Sequence, residues 1–333
     1  MIDLHLHLDG SLSRDDFVYL SKKQHIALGK DYTSNIMVSD DCTSLDEYLK
    51  KFDLPLSLLQ NSESLEYVTK SLLDRLYALG VIYAEIRFAP CLHTQKGMTI
   101  TKAVDSVVEG LYKGLENRKN FDANIILCCM RGASDKENEE TVKAALEFRN
   151  EKVVALDLAG SEKVRKLSHF KKIFEPAFKA NFPVIIHAGE AGTAQDVYDA
   201  IEFGAQRIGH GVKVDQTFEV SKYLAMKNVT FEICPTSNVQ TKAVKSLEEL
   251  PINFFLRHGI RFNINSDDMT VSNTDIVNEY KRLVKELGVS KEDIRQILGY
   301  AANMAFVSPS KKADLHKLLC IGFEDFYSRL VED

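Results

Sequence analysis

The sequence predicts a (β/α)8 barrel of the TIM type, with a helical insertion after the first strand and extra helices towards the carboxyl terminus. Eight short β-rich runs alternate with longer segments of helical spacing, a pattern that indicates parallel strands with helical crossovers. Several of these runs are apolar on both faces, as buried parallel strands tend to be. The length of 333 residues suits one such barrel, so a single domain over residues 1–333 is expected.

An open, doubly wound sheet is the alternative fold for alternating strands and helices. That fold places a glycine-rich phosphate loop directly after its first strand. Here the corresponding segment, HLHLDGSLS at residues 5–13, contains only one glycine. The barrel is therefore the favoured architecture.

The predicted strands follow one another in chain order. They are IDLHLHL (2–8), VIYAEIRFA (81–89), NIILCCMR (124–131), VVALDLAG (153–160), FPVIIHAG (182–189), RIGHG (207–211), VTFEIC (229–234) and RFNINSDD (261–268).

Amphipathic segments between these runs predict the crossover helices. Residues 101–118 have helical apolar spacing, and residues 196–204 end in a glycine that is typical of a helix C-terminus. The insertion at about 11–80 is mostly helical by pattern and is expected to cover the mouth of the barrel. The tail from KEDIRQILGYAANMAF (291–306) onward predicts further helices packed on the outside.

Composition excludes several classes of protein. The net charge of −6 argues against a nucleic-acid partner, because such a partner normally requires a basic surface. No apolar run is long enough to span a bilayer, and no basic region followed by an apolar signal core begins the chain. The sequence gives no indication of the oligomeric state.

Cysteine usage indicates a reducing compartment. The six cysteines form neither a CxxC pair nor a small-domain framework. Three of them, Cys128, Cys129 and Cys234, lie in apolar runs and are expected to be buried free thiols. A cytoplasmic location is therefore expected.

Ionisable and polar residues gather at the carboxyl ends of the predicted strands, where barrel enzymes carry their active sites. These residues are His5, His7 and Asp9 at the end of strand one, Glu85 and Arg87 on strand two, Asp157 and Gly160 on strand four, His187 at the end of strand five with Glu190 three residues later, His210 on strand six, the CPTSN segment (234–238) at the end of strand seven, and Asp267 and Asp268 on strand eight.

The His-x-His pair of the first strand suggests a metal site. Alternation sends the imidazoles of His5 and His7 to the same side of the strand, and burying both without a partner would be costly. A third histidine and an aspartate at the ends of other strands complete a mononuclear site of the catalytic type. The other histidines, namely His25, His93, His169, His258 and His316, are expected to be ordinary core or surface residues.

The remaining groups predict hydrolytic chemistry. Glu190 follows His187 by three residues across a turn, which places it to face a substrate as a proton donor. His210 and Asp267 could flank a water molecule whose pKa the metal lowers. From the residues alone, the prediction is a metal-dependent hydrolase of a C–N or C–O bond.

The motifs LHLHLDGSL, YAEIRFAP, LDLAG, HAGE, RIGHG, CPTSN and NINSDD resemble those of the adenosine deaminase family, in the order in which that family has them. The tail AANMAF matches as well. The resemblance implies hydrolytic deamination of adenosine, and of 2′-deoxyadenosine, to the 6-oxo nucleoside and ammonia in purine salvage. It also implies one Zn²⁺ ion per subunit and a small-molecule purine nucleoside as the partner.

The resemblance also assigns roles residue by residue. His5, His7, His187 and Asp267 correspond to the zinc ligands, and Glu190, His210 and Asp267 to the catalytic groups. Glu190 would protonate the purine nitrogen beside the attacked carbon, and His210 would orient the attacking water. Substrate contacts would come from His7, from Asp9 to the ribose, from the backbone N–H of Gly160 and from Asp268 to the imidazole ring of the purine.

The insertion bears on the choice of substrate. SLDEYLKKFDLPLSLLQ (44–60) resembles the helical gate of adenosine deaminases, with Phe52 in an apolar lid over the nucleoside. Spacing alone fits an ordinary amphipathic helix equally well. Related adenine deaminases share the metal motifs, so adenine or another 6-aminopurine is the alternative substrate. Two departures from the family pattern, Ser161 and Met269, flank the expected pocket and could alter this preference.

Other classes of hydrolase fit less well. Zinc deaminases of the cytidine type use H-x-E with P-C-x-x-C, and this chain has neither spacing. A binuclear relative would carry a bridging lysine at the end of strand four, and VVALDLAG contains none. A catalytically inactive binding protein would lack a ligand or the proton donor, whereas all are present here.

Overall fold

Eight parallel strands form the barrel in the computed structural model, which describes residues 1–39 and 41–332. Asp40, within the predicted insertion, and Asp333, at the end of the predicted domain, lie outside the described residues. The strands are neighbours in chain order, which confirms the predicted fold class. They are β1 (Ile2–His7), β2 (Tyr83–Phe88), β3 (Asp122–Met130), β4 (Val153–Ala159), β5 (Val184–Ala188), β6 (Arg207–His210), β7 (Thr230–Ile233) and β8 (Phe262–Ile264).

The barrel closes through a residue just beyond β8. Asp267 forms a parallel bridge with Leu6, and its backbone N–H and C=O groups bond to His5 and His7 at 2.9 and 2.8 Å. The eighth strand was predicted to run to residue 268, which is wrong by four residues. Asp267 has a φ of 57°, and this left-handed conformation cannot continue a strand.

Fourteen α-helices surround the sheet in the part of the chain that the structure describes. They are α1 (Arg14–Lys23), α2 (Leu45–Leu49), α3 (Asp53–Leu58), α4 (Ser62–Leu79), α5 (Ile100–Leu115), α6 (Asp135–Glu147), α7 (Lys171–Lys179), α8 (Ala194–Phe203), α9 (Phe218–Lys227), α10 (Pro235–Gln240), α11 (Ile252–His258), α12 (Ile276–Lys285), α13 (Lys291–Met304) and α14 (Pro309–Val331). Short 3₁₀ helices occupy Tyr32–Asn35, Lys50–Phe52, Pro90–His93, Leu167–Phe170 and Leu247–Glu249.

The side chains of β1 alternate between an apolar cluster outside the barrel and the polar interior of the barrel. Ile2 and Leu4 belong to an apolar cluster with Ala301 and Ala302 of α13. The intervening residues Asp3, His5 and His7 alternate with them and therefore face the other side of the sheet, the inside of the barrel. The strand thus combines the packing of an outer helix with a row of polar groups inside the barrel.

The insertion after β1 divides into parts with different positions. α4 packs along α5 on the outside of the barrel. Residues 45–58, which comprise α2, a 3₁₀ turn and α3, contribute side chains to the mouth of the barrel. We refer to residues 45–58 as the lid segment.

The carboxyl-terminal tail is helical, as predicted, and α13 packs against β1 and β8. It also closes the amino-terminal end of the barrel, which was not predicted. The backbone N–H of Phe306 donates to Glu85 Oε1 at 2.6 Å, and the guanidinium of Arg207 lies 4.1 Å from the centre of the Phe306 ring. Across residues 1–39 and 41–332, no helix combines the length and apolar character needed to cross a bilayer.

Candidate active site

The carboxyl ends of the strands and the lid segment enclose a cavity of about 850 Å³ that opens to solvent. Nine of the predicted site residues line it, namely His7, Asp9, Phe52, Gly160, His187, Glu190, His210, Asp267 and Asp268. The tenth, His5, is fully buried, and its ring centre lies 4.7 Å from that of His187. The fold therefore brings all ten residues to one place.

The predicted metal ligands form a compact group. The ligand atoms of His5, His7 and His187 lie within 4.8 Å of one another, and the same holds for His5, His210 and Asp267. Asp267 Oδ1 is 3.2 Å from His5 Nε2 and 3.5 Å from His7 Nε2. Imidazole nitrogens with a carboxylate oxygen are a ligand set that suits a divalent transition metal such as zinc.

The surroundings of His5 fit a bound cation. Its Nε2 atom is buried and has no hydrogen-bond partner, which is costly for a polar atom. Burial and the charge of Arg87 oppose a positive charge on His5, yet Asp267 raises the pKa of His5 above its usual value. The position therefore favours a cation at Nε2, and a metal ion would supply it.

Carboxylates hold the far sides of two of these imidazoles. His5 Nδ1 lies 2.8 Å from Glu232 Oε2, and His187 Nδ1 lies 3.0 Å from Asp157 Oδ2. An ionised carboxylate only accepts hydrogen bonds, so each Nδ1 carries the proton and each Nε2 presents a lone pair to the site. These two histidines therefore have the tautomer that a metal ligand needs.

His210 has the opposite tautomer. The backbone N–H of Cys234 donates to Asn238 Oδ1 at 3.2 Å, which leaves Asn238 Nδ2 to donate to His210 Nδ1 at 3.0 Å. Burial lowers the pKa of His210 well below its usual value, so the ring is neutral and its proton lies on Nε2. His210 therefore presents an N–H donor to the cavity, which suits an oxygen atom better than a metal.

A buried arginine keeps the two supporting carboxylates ionised. Arg87 is fully buried and lies 2.8 Å from both Asp157 and Glu232. Burial opposes ionisation, but His187 and Arg87 hold the pKa of Asp157 well below its usual value. Arg87 and Arg207 do the same for the pKa of Glu232. The anions that orient the histidines are thus fixed in the charged state.

Glu190 has the environment of a proton donor. Its side chain lines the cavity, and Oε2 lies 3.7 Å from His210 Nε2. Burial, together with the negative charges of Asp267 and Glu162, raises the pKa of Glu190 well above its usual value. This shift favours the protonated form of the carboxyl group, which can donate a proton to a bound substrate.

The lid segment contacts Asp268 through a residue that the sequence analysis did not identify. The Tyr48 hydroxyl lies 2.9 Å from Asp268 Oδ2 and 2.7 Å from Ser272 Oγ. Asp268 Oδ1 is buried and has no hydrogen-bond partner in the protein. Tyr48 precedes Phe52 by four residues, so helical spacing could have placed both on the cavity side.

Asp9 lies in the cavity wall with a histidine behind it. Burial raises the pKa of Asp9 to about 6. His93 Nε2 is 3.8 Å from Asp9 Oδ2, and His93 Nδ1 donates to the Leu59 carbonyl at 2.9 Å. Burial lowers the pKa of His93 to about 4, so this histidine, for which no functional role is expected, is neutral.

The other histidines without a predicted role lie away from the cavity lining. His25, His169 and His258 are exposed, and His316 is half-buried.

All six cysteines are free, and Cys128, Cys129 and Cys234 are buried as predicted.

Gly160 adopts a φ of 90°, a conformation that side chains strongly disfavour. It lies in the cavity wall at the end of β4.

The two departures from the family pattern, Ser161 and Met269, do not line the cavity. Met269 lies beside the barrel seam, where its N–H donates to Ser11 Oγ at 3.1 Å.

The barrel, its cluster of imidazole and carboxylate groups and the buried carboxyl group of Glu190 are typical of a metal-dependent hydrolase. The family model described as Adenosine deaminase matches residues 1–320. The chain therefore belongs to the adenosine deaminase family.

Relatives and solved structures agree with this membership. An adenosine deaminase of Haemophilus ducreyi is 42% identical over 99% of this chain and 97% of its own length. The adenine deaminase of Arthrobacter aurescens has a TM-score of 0.88 at 25% identity, covering 97% of this chain and 98% of that one. The Arabidopsis protein ADAL, solved with IMP, has a TM-score of 0.87 at 25% identity, covering 98% of this chain and 97% of that one.

Proposed function

We propose that this protein hydrolyses adenosine, and 2′-deoxyadenosine, to the corresponding 6-oxo nucleoside and ammonia. One observation carries the proposal: the buried carboxyl group of Glu190 lines the same cavity as His210, beside the cluster of three histidines and Asp267. The Haemophilus relative named adenosine deaminase, at 42% identity, supports the same substrate.

We infer that the resident metal is one zinc ion, held by His5, His7, His187 and Asp267. The unpartnered His5 Nε2 atom and the lone pairs that face the site support this ligand set. Zinc, when bound, lowers the pKa of water to near neutrality and so supplies a hydroxide nucleophile.

The side chains then divide the remaining work. Glu190 donates its proton to the purine nitrogen beside carbon 6, which makes that carbon more electrophilic. The Nε2–H group of His210 orients the oxygen that attacks carbon 6, and Asp267 accepts a proton from the attacking water. Asp267 then passes its proton to the exocyclic nitrogen, so that cleavage of the bond to carbon 6 releases ammonia. The new hydroxyl group on carbon 6 returns a proton to Glu190, which leaves the 6-oxo purine.

Other residues of the cavity orient the nucleoside. Asp268 Oδ1, which has no protein partner, is available to the imidazole ring of the purine, and the N–H of Gly160 to its six-membered ring. His7 and Asp9 lie in the wall where the ribose would bind. Phe52 of the lid segment covers the nucleoside with an apolar surface.

We also propose a domain organisation and a cellular compartment for the protein. Residues 1–333 form one catalytic domain, with about 11–80 as its insertion and lid. The buried free thiols support a cytoplasmic location.

Release of ammonia by the purified, zinc-loaded protein tests the substrate. Adenosine, 2′-deoxyadenosine, adenine and AMP are assayed side by side, AMP because the Arabidopsis neighbour was solved with IMP. The two nucleosides are expected to have the highest kcat/KM. A preference for adenine would retain the chemistry but reject the nucleoside, and no release from any of the four would reject the function.

A further inference from the structure

We propose that Glu162 is a positioning residue for Glu190, because its carboxylate holds the backbone turn that carries the proton donor. The inference rests on the proposed function of Glu190. Glu162 lies after β4, two residues beyond Gly160, and is 8% exposed. Its side chain does not line the cavity, so it touches no bound substrate and positions Glu190 through the turn.

Three consecutive backbone N–H groups converge on this one carboxylate. Gly189 and Glu190 donate to Oε1 at 2.5 and 3.2 Å. Ala191 donates to Oε2 at 2.8 Å. Hydrogen bonds to an ionised acceptor are stronger than neutral ones, and a row of successive N–H groups forms a concave anion-binding surface.

The turn belongs to no strand or helix, and only its last residue, Thr193, is held by the capping box of α8. β5 ends at Ala188 and α8 begins at Ala194, so residues 189–193 belong to neither element. Without Glu162 these buried N–H groups would lose their acceptor, and the loop would have to rearrange to satisfy them. The position of the Glu190 side chain would change with it.

An arginine also connects the loop after β4 with the end of β5. Arg131, at the end of β3, donates to the Arg165 carbonyl at 2.9 Å and to the His187 carbonyl at 3.2 Å. It therefore links the loop after β4 to the end of β5, as Glu162 does. A β-carbon at Gly192 would lie 2.8 Å from Glu162 Oε1, which shows how closely the turn surrounds the carboxylate.

This arrangement separates proton donation from metal binding. His187 is held by Asp157 through its side chain, whereas Glu190 is held through the backbone of its turn. Loss of the Glu162 carboxylate should therefore reduce kcat while metal content and KM are retained. A residue that only stabilised the fold would lower the melting temperature without this selective effect.

The experiment compares E162A and E162Q with a matched control. E162A removes all three hydrogen bonds that the carboxylate accepts. In E162Q the amide oxygen can still accept, but the amide NH2 group replaces the other oxygen and cannot accept a backbone N–H bond. The control is D16N, which alters another buried carboxylate that accepts a backbone N–H bond, from Ser13 at 2.7 Å, away from the cavity. For each protein, kcat, KM, zinc content and hydrogen exchange at residues 189–191 are measured.

A misplaced catalytic group typically costs about 100-fold in rate. We expect a loss of that size in kcat for E162A, a smaller loss for E162Q, unchanged KM and zinc content, and faster exchange of the amides of Gly189, Glu190 and Ala191. D16N should keep the wild-type kcat and exchange at these amides. If E162A does not fold, E162Q decides the question.

Two results would overturn the inference. Wild-type kcat in a variant whose turn exchanges faster would show that the turn does not position the proton donor. Loss of zinc together with activity would show that Glu162 acts through the metal ligands. Failure of the wild-type protein to release ammonia would instead reject the proposed function, and with it the role given to Glu190.

Discussion

The two nitrogens of His5 have different partners, and this difference decides what the residue can do. Nδ1 is held by Glu232, whereas Nε2 is buried without a hydrogen-bond partner. His210 shows the reverse arrangement, because Asn238 donates to its Nδ1. The residue behind each imidazole thus decides whether a lone pair or an N–H group faces the site, which suits His5 to the proposed metal and His210 to an oxygen atom.

The Tyr48 hydroxyl provides a residue-scale prediction about the lid. Y48F removes only the hydroxyl that contacts Asp268 and Ser272. Loss of a hydrogen bond of about 1 to 2 kcal/mol should lower kcat/KM for adenosine about 5- to 30-fold, because Asp268 is no longer oriented. Steady-state kinetics with zinc content measured in parallel checks this result.

Y280F is the matched control for this prediction. The Tyr280 hydroxyl is also buried but has no hydrogen-bond partner, and Tyr280 does not line the cavity. Its removal should leave kcat/KM unchanged. Equal kinetics for Y48F and the wild-type protein would show that Asp268 does not depend on the lid.

At the scale of elements, the start of α12 carries an acid that titrates in an unusual range. Glu279 Oε2 accepts a hydrogen bond from the Thr236 N–H at 2.9 Å, and Oε1 contacts the Thr274 hydroxyl. Burial raises the pKa of Glu279 to about 7 from its usual 4.5. The folded protein therefore keeps this proton at pH values where the unfolded chain has lost it.

The sign of the effect on stability follows from this difference. Because the native state holds the extra proton, the contribution of Glu279 to the free energy of unfolding falls as the pH rises from about 4.5 to about 7. The full loss is about 3 kcal/mol. E279Q retains an acceptor for Thr236 but does not titrate, so it should gain stability relative to wild type across this range.

Denaturant unfolding of both proteins at about pH 5 and about pH 8 measures this difference. E249Q is the control, since Glu249 is exposed and also accepts a backbone N–H bond, from Lys245 at 2.9 Å. Its stability relative to wild type should be the same at both pH values. A constant difference for E279Q as well would contradict the assignment.

Local sequence pattern predicted the strands and helices well, but not all of their ends or the contact that closes the barrel. All eight strands occur where alternation and β-rich composition placed them. The predicted helix at 196–204 is found as α8, closed by Gly204 with a φ of 109°. The end of β8 was missed because Asp267 has a left-handed conformation and bridges Leu6, which is far from it in the sequence.

At the scale of the whole molecule, the proposed metal ligands connect strands that are distant in sequence. Bound zinc should therefore stabilise the folded state, by about 2.7 kcal/mol when the free ion is 100 times its Kd. A chelator should lower the melting temperature of the wild-type protein, and added zinc should restore it. Calorimetry with and without the chelator measures the shift.

Two histidine variants control for unspecific effects of zinc. H187A removes a proposed ligand and should abolish the response. H169A changes an exposed histidine, paired with Asp135 at 2.7 Å, and should respond as the wild-type protein does. Equal responses from both variants would place the ion elsewhere.

Sequence reasoning found the residues that line the site more readily than those that support them. Strand ends and the family motifs identified all ten candidate residues, because these features are local. Glu232, Tyr48 and Glu162 received no role. The first two contact their partners, His5 and Asp268, across 227 and 220 residues, and alternation indicates which face a side chain occupies but not what it meets there.

The turnover of adenosine by E190Q tests the central claim most directly. The amide has the size of the carboxyl group but cannot transfer a proton as an acid, so kcat should fall about 100- to 10 000-fold while zinc content equals that of the wild-type protein. Ammonia release by the two proteins, loaded with zinc in parallel, gives the ratio. Wild-type kcat in zinc-loaded E190Q would contradict the account, because the buried carboxyl group of Glu190 would then have no part in the reaction.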